Sequence, residues 1–133
     1  CVGQAAGRSA VTPERVAINV DDARIPDNNG CQPVDAPIVP GGPAAYFATV
    51  PVKDMVRAIR EAGVPSELSN SAGTYVCNHL LYQVLHHAAP GVRAGFIHVP
   101  CIPEQTAGTD RPSLPLAQLV TALEAAVSAC CKG

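Results

Sequence analysis

The sequence has few charged residues, no long apolar run and none of the paired spacings that bind zinc. Charged residues make up 15% of the 133 residues and the formal net charge is -2, so no basic patch is available for nucleic acid. No apolar run approaches the roughly 18 residues that a membrane-spanning helix needs. Neither CxxC nor HxxxH occurs, which argues against a zinc site and against a thiol redox protein.

Six cysteines are present, enough in principle for three disulfides. Disulfide frameworks are typical of small, loop-rich secreted domains, whereas this chain has periodic helices with ordinary core residues. Cys130 and Cys131 are adjacent, which is a poor geometry for pairing with each other. We therefore predict mostly free thiols and a cytoplasmic location.

Strands and helices alternate along the chain. Apolar spacing and β-branched runs predict strands over 16–20, 67–69 and 94–99, and helices over 51–62, 74–87 and 116–129. On the second helix we expect four residues to be buried: Val76, Leu80, Leu81 and Val84. The alternation predicts one α/β domain over residues 1–133. Its expected architecture is a three-layer α/β/α sandwich around a central, twisted, mainly parallel sheet.

Cys77 lies in the first turn of the second predicted helix, after a run of small and polar residues over 69–74. The partial positive charge at a helix N-terminus favours the thiolate, which is the reactive form of cysteine. Taken alone, however, a cysteine is more often a small core residue than a nucleophile.

His98 stands near the end of the predicted strand over 94–99. Active sites of open α/β sheets gather beyond the carboxyl ends of their strands. Alone, a core histidine that satisfies one hydrogen bond is the simpler interpretation. Paired with Cys77, which projects to the same edge of the sheet, His98 becomes a candidate base, because cysteine catalysis needs one within hydrogen-bond reach.

Cysteine catalysis usually also needs a third group that orients the histidine. Four carboxylates are candidates, and the pattern does not choose among them: Glu14, Asp21, Asp22 and Asp27. The remaining histidines are weaker candidates. His79 is two residues after Cys77 and points away from it on a helix, while His86 and His87 are expected to be solvated caps at a helix C-terminus.

Three runs resemble the pyroglutamyl peptidase I (pyrrolidone carboxyl peptidase) family: GQAAGRSAVTPERVAINVDDARIPDNNG, SNSAGTYVCNHLLY and GFIHVPCIPEQ. The resemblance covers nearly the whole chain. It implies a cysteine peptidase that removes N-terminal pyroglutamate (5-oxoproline) from peptides through a thioester. It also implies that no metal or organic cofactor is used, and that the enzyme is a cytoplasmic homo-oligomer, typically a homotetramer.

The resemblance also implies roles for individual residues. Cys77 falls on the nucleophile, His98 on the acid–base and Glu14 on the residue that orients the histidine. Four more fall on the substrate pocket: Gln4 against the lactam ring, Arg24 beside the scissile carbonyl, and Tyr75 and Val76 in the pocket wall.

The start of the chain departs from the family. Members carry a further N-terminal segment with the first strand, its helix and an aromatic loop, whereas this chain opens at Cys1. The chain is then the C-terminal two-thirds or so of the family domain, and we expect it to be unstable, inactive or dependent on a missing partner segment when it is alone. The alternative function is therefore a catalytically inactive fragment that acts only as a structural or association module.

Overall fold

The computed structural model describes residues 1–131, which form five short strands and four helices. The strands are β1 (Val2–Gln4), β2 (Thr12–Pro13), β3 (Val16–Ile18), β4 (Ala45–Phe47) and β5 (Ile97–Val99). The helices are α1 (Val52–Glu61), α2 (Val76–His87), α3 (Pro103–Thr106) and α4 (Leu116–Cys131). The three long helices agree with the predicted ones to within about two residues at each end, the usual uncertainty of helix ends.

β5 is the central strand of a three-stranded sheet of order β1-β5-β2. β1 pairs with β5 in parallel and β2 pairs with it antiparallel, while β3 and β4 form a separate antiparallel pair. The α/β class is confirmed, but the sheet is mixed rather than mainly parallel. The strand predicted over 67–69 is absent among the described residues, since this stretch contributes only an isolated bridge between Ser69 and Glu14.

The sheet separates two apolar cores, which gives the three layers. Successive residues along an extended chain point to opposite faces, so Phe96 and Ile97 enter different cores. Ile97 packs with residues of α1 and α4, including Ile59 and Leu119. Phe96 packs with residues of α2, including Leu81. The α/β/α sandwich therefore places α1 and α4 on one face of the sheet and α2 on the other.

The buried face predicted for α2 is wrong in part. Asn78, Leu81, Tyr82 and Leu85 are buried, whereas Val76 is 50% exposed and Leu80 is 45% exposed. The reason is that a polar residue takes a core position. The Asn78 amide oxygen accepts a hydrogen bond from the Ile18 N–H (3.0 Å), and its nitrogen donates to the Ile18 carbonyl (2.9 Å). That anchoring turns α2 by about one residue from the face that hydrophobicity alone predicts.

All six cysteines lie within the described residues and are unpaired, in agreement with the predicted free thiols. Over the described range 1–131, no helix combines the length and the apolar character needed to cross a bilayer.

Candidate active site

His98 lies in the middle of β5, almost fully buried, and is held by Glu14. Its Nδ1 atom is 2.6 Å from Glu14 Oε1, and Glu14 is completely buried. The pairing of β2 with β5 aligns Thr12 with His98, and the Glu14 N–H donates to the Phe96 carbonyl (2.9 Å). An ionised carboxylate only accepts hydrogen bonds, so this contact favours the tautomer of the neutral imidazole that has the proton on Nδ1 and a lone pair on Nε2.

The structure thus brings one of the four candidate carboxylates to His98. Asp21 instead lies 2.6 Å from Nδ1 of His79. Asp27 accepts hydrogen bonds from the N–H groups of Asn29 and Cys31. Asp22 is exposed.

Cys77 is the second residue of α2, and its thiol approaches the sheet at Gly3. A Cβ built on Gly3 would lie 3.1 Å from Cys77 Sγ and 2.6 Å from Cζ of Phe96. Gly3 is opposite His98 in the β1–β5 register, and the Phe96 and His98 rings are 4.8 Å apart. The thiol and the Phe96 ring therefore both lie against Gly3, and the imidazole lies beside the same ring.

The start of α2 leaves backbone donors beside the thiol. Tyr75 precedes the helix in an extended conformation and makes no side-chain cap. The N–H of His79 donates to the Tyr75 carbonyl (3.0 Å), so the N–H groups of Val76 and Cys77, one turn earlier, have no acceptor within the helix. Such free amides at a helix start bind anions.

The Cys77 thiol is less acidic than its position at a helix start alone would make it. Burial raises its pKa above the ordinary value, the Glu14 carboxylate raises it further, and the positive charge of Arg8 lowers it. This direction is opposite to the one that the partial positive charge of the helix N-terminus alone favours.

Arg8 is a site residue that the sequence pattern does not reveal. Its Nη1 atom donates to Glu14 Oε1 (2.7 Å) and to the Thr12 hydroxyl, and its Nη2 atom donates to the Ser71 carbonyl (3.3 Å). The other oxygen of Glu14, Oε2, is buried without a hydrogen-bond partner among the described residues. An arginine in a glycine-rich turn looks solvated, and only its spacing of six positions from Glu14 could have indicated this contact.

None of the predicted pocket side chains hydrogen-bonds to Cys77, His98 or Glu14 in the described part of the chain. The Gln4 side-chain amide donates to Gln105 Oε1 (2.5 Å). Arg24 is exposed and makes no hydrogen bond or ion pair with any residue in the described range. The Tyr75 hydroxyl donates to the Pro26 carbonyl (3.1 Å), and Tyr75 and Val76 line a cavity of about 420 Å³ on the outer face of α2. Their roles stay predictions.

The other histidines make contacts outside this centre. His79 faces Asp21, as expected for a residue that points away from Cys77. The expectation that His86 is a solvated cap is wrong, because its Nδ1 atom hydrogen-bonds the Tyr46 hydroxyl (2.8 Å) and its ring stacks on Tyr82. His87 is exposed.

Comparison with known proteins gives one consistent family. Residues 1–133 match the family model described as pyroglutamyl peptidase. The chain is 56% identical over 130 residues to the pyrrolidone-carboxylate peptidase of Vibrio vulnificus, covering 97% of this chain and 61% of that protein. It is 61% identical over 132 residues to that of Levilactobacillus brevis, covering 96% of this chain and 65% of that protein.

A solved structure agrees with these relatives. The pyroglutamyl peptidase I from Bacillus amyloliquefaciens superposes with a TM-score of 0.97 at 49% identity, covering 100% of this chain and 65% of that chain. This chain thus spans 61 to 65% of the length of these three relatives. The family model matches all 133 residues, and the identity to these relatives is high. The chain therefore belongs to the pyroglutamyl peptidase family.

Proposed function

We propose that the chain provides the catalytic residues of a cysteine peptidase that removes N-terminal pyroglutamate from peptides. Cys77 is the nucleophile, His98 the acid–base and Glu14 the residue that orients His98. The observation that carries the proposal is the buried 2.6 Å hydrogen bond between His98 and Glu14, in the strand beside the helix start that holds Cys77. The substrate class follows from membership of the pyroglutamyl peptidase family.

In the first half of the proposed reaction, His98 Nε2 takes the proton of the Cys77 thiol as Sγ attacks the pyroglutamyl carbonyl. The negative charge that develops on the carbonyl oxygen is stabilised by the free N–H groups at the start of α2. His98 then gives its proton to the departing amine as the C–N bond breaks. The products are a free peptide amine and a thioester between Cys77 and the pyroglutamyl group.

In the second half, His98 takes a proton from water while the water oxygen attacks the thioester carbonyl. The C–S bond breaks, pyroglutamic acid leaves, and the sulfur recovers its proton from His98. Throughout, Glu14 keeps the imidazole in the tautomer whose Nε2 faces the reaction. The raised pKa of Cys77 fits this sequence, because general-base help from His98 is then required in the attack step.

The pocket and the assembly belong to the same proposal. A cyclised, uncharged lactam needs amide contacts and apolar walls, which Gln4, Tyr75 and Val76 would supply, with Arg24 polarising the scissile carbonyl. Resemblance to the family extends the proposal to a cytoplasmic homo-oligomer, a tetramer by analogy. Analytical ultracentrifugation tests the assembly, and a monomer at micromolar concentration would argue against it.

The test is release of a fluorophore from a pyroglutamyl conjugate. We would assay the chain alone and the chain extended by the residues that the Bacillus amyloliquefaciens relative carries outside the matched region. Cys77→Ser and His98→Gln are expected to lower kcat/KM by at least 100-fold, the range of effects seen when a nucleophile or a general base is lost. Cys131→Ser, at an exposed cysteine, is the matched control and should leave the rate unchanged.

Equal turnover by wild type and Cys77→Ser would remove Cys77 from the mechanism. Absence of turnover in every form, with intact folding by circular dichroism, would instead support the alternative of an inactive association module. Turnover by the extended form alone would assign part of the substrate pocket to the added residues.

A further inference from the structure

Arg8 contacts both groups that hold His98 in place. Its Nη1 atom donates to Glu14 Oε1 (2.7 Å), the same oxygen that hydrogen-bonds the His98 imidazole. Nη1 also donates to the Thr12 hydroxyl, which in turn donates to the His98 carbonyl (3.4 Å). The Arg8 guanidinium is therefore linked to the His98 side chain through Glu14 and to the His98 backbone through Thr12.

Arg8 also reaches the loop that leads to the nucleophile. Its Nη2 atom donates to the Ser71 carbonyl (3.3 Å), six residues before Cys77. That loop is held to the Glu14 segment by two backbone hydrogen bonds, from Ser69 to the Pro13 carbonyl (3.0 Å) and from Arg15 to the Ser69 carbonyl (2.8 Å). Arg8 thus connects three parts of the site: the segment that contains Glu14, the strand that contains His98 and the loop that precedes Cys77.

The state of Glu14 explains what this contact does. Glu14 is completely buried, and Oε2 has no hydrogen-bond partner in the described part of the chain. No hydrogen bond on the Oε2 side therefore fixes the rotation of the carboxylate. The two hydrogen bonds to Oε1, from His98 and Arg8, fix it instead. Without Arg8 the buried Glu14 side chain would keep one hydrogen-bond partner in the described part of the chain, the His98 imidazole.

We propose that Arg8 is the positioning residue of this site. It fixes which Glu14 oxygen faces His98, and so fixes the direction in which Nε2 points toward Cys77. The inference deepens the proposed peptidase function and rests on it for its kinetic consequence. Arg8 also lowers the pKa of Cys77, so its charge acts on the nucleophile as well.

The first measurement does not depend on turnover. A proton in a 2.6 Å bond between an imidazole and a carboxylate resonates far downfield in the proton NMR spectrum, and His98→Gln identifies it by abolishing it. We expect Arg8→Met to lose or shift this resonance while circular dichroism stays like wild type. Arg15→Met is the matched control, because Arg15 directly follows Glu14 in the sequence and its side chain makes no hydrogen bond or ion pair with a described residue.

The second measurement is kinetic. Arg8→Met should lower kcat on the order of 100-fold, as expected when a catalytic group is misplaced by about 1 Å, with KM changed less than about threefold because Arg8 does not contact substrate in the proposed mechanism. Arg8→Lys keeps the charge but not the fork of donors, and should give an intermediate kcat. If Arg8→Met does not fold, the inference is tested on Arg8→Lys instead, by the position of its downfield resonance and by its kcat.

Two results would overturn the inference. One is a resonance at the wild-type position in Arg8→Met, or in Arg8→Lys where Arg8→Met is unfolded, together with wild-type kcat. The other is an equal loss in Arg15→Met, which would make the effect non-specific. A wild-type protein that folds and shows the resonance but never turns over substrate would remove the proposed function and leave the NMR test of Arg8 standing.

Discussion

At the scale of single residues, Gly3 is the most constrained position of the site. Its place beside the Phe96 ring and the Cys77 thiol leaves no room for a Cβ, because such an atom would lie 2.6 Å from Phe96 Cζ. The Phe96 ring cannot retreat freely, since Phe96 is 2% exposed and packs in the core under α2. Any side chain at this position therefore has to push against both the core and the site.

We predict that Gly3→Ala lowers the free energy of unfolding by about 1–3 kcal/mol, the usual cost of overpacking, and also lowers kcat. Urea denaturation and the fluorogenic assay measure the two effects. Phe96→Leu removes the atoms that clash, so the double variant should be more stable than the sum of the two single changes predicts. Strict additivity would show that the close approach to Phe96 is not the cause.

The raised pKa of Cys77 gives a second residue-scale prediction. At neutral pH the thiol is protonated, since burial and Glu14 hold its pKa above the ordinary value. Its alkylation by iodoacetamide should be slow at pH 7 and rise about tenfold per pH unit through the alkaline range, because only the thiolate reacts. A short cysteine-containing peptide serves as the reference for an ordinary thiol, and Cys77 should reach its plateau at a higher pH than that peptide. A Cys77 plateau at or below the pH of the peptide plateau would contradict the prediction.

Residue identities at the site are predictable to different degrees. Cys77 and His98 can be found because a helix start and a strand end are readable from local pattern. Glu14 can be chosen among four carboxylates only through the family resemblance, since its contact with His98 spans 84 positions. Arg8 escapes prediction because burial of a guanidinium depends on tertiary contacts that its glycine-rich surroundings do not indicate.

At the scale of elements, α2 is positioned by an asparagine. Asn78, directly after Cys77, is 1% exposed. Its side chain makes three hydrogen bonds to the backbone of the β3 segment, with the Ile18 N–H (3.0 Å), the Ile18 carbonyl (2.9 Å) and the Val20 carbonyl (3.1 Å). These bonds fix the rotation of the helix, and with it the direction of the neighbouring thiol.

We predict that Asn78→Ala destabilises the fold by about 3 kcal/mol, because truncation leaves buried backbone groups without partners. It should also lower kcat by letting the start of α2 turn. Gln83→Ala, on the outer face of the same helix, is the matched control and should change stability by less than about 0.5 kcal/mol. Equal stability of the two variants in urea denaturation would refute the anchoring role.

The elements themselves are predictable unevenly, for physical reasons. α1, α2 and α4 have enough turns for an apolar stripe to be recognised. β2 is two residues long and ends at a proline, so no alternation exists to detect it, and its antiparallel direction makes the sheet mixed. The predicted buried face of α2 is partly wrong because the polar Asn78 is buried, whereas Val76 and Leu80, which hydrophobicity assigns to the core, are exposed.

At the scale of the whole molecule, the two apolar cores differ in whether a proposed catalytic residue packs against them. The core formed with α1 and α4 contains Ile59, which is fully buried and packs in a cluster with Ile97 and Leu119. The core formed with α2 contains Phe96 and has Cys77 packed against it. The sheet between them separates a support layer from a layer that carries the nucleophile.

Truncation in each core should therefore give different results. Ile59→Ala is expected to lower the free energy of unfolding by about 2–5 kcal/mol, with kcat/KM per folded molecule unchanged. Phe96→Leu should cost less stability, about 1 kcal/mol, and yet reduce kcat. Thermal denaturation gives the stabilities, and the fluorogenic assay, run well below the melting temperature, gives the rates. A loss of kcat in folded Ile59→Ala would show that the layers are not independent.

The pairing of β1 with β5 has a consequence for how the protein is made. The two strands are parallel, and the register joins Gly3 to His98. While the chain emerges from the ribosome, β1 must wait for nearly a hundred further residues before its partner in this sheet exists. A closure over so long a loop is slow compared with the formation of α1 or α2. The cleft between the thiol and the imidazole is thus assembled near the end of folding, and chains halted before β5 would carry the nucleophile without its base.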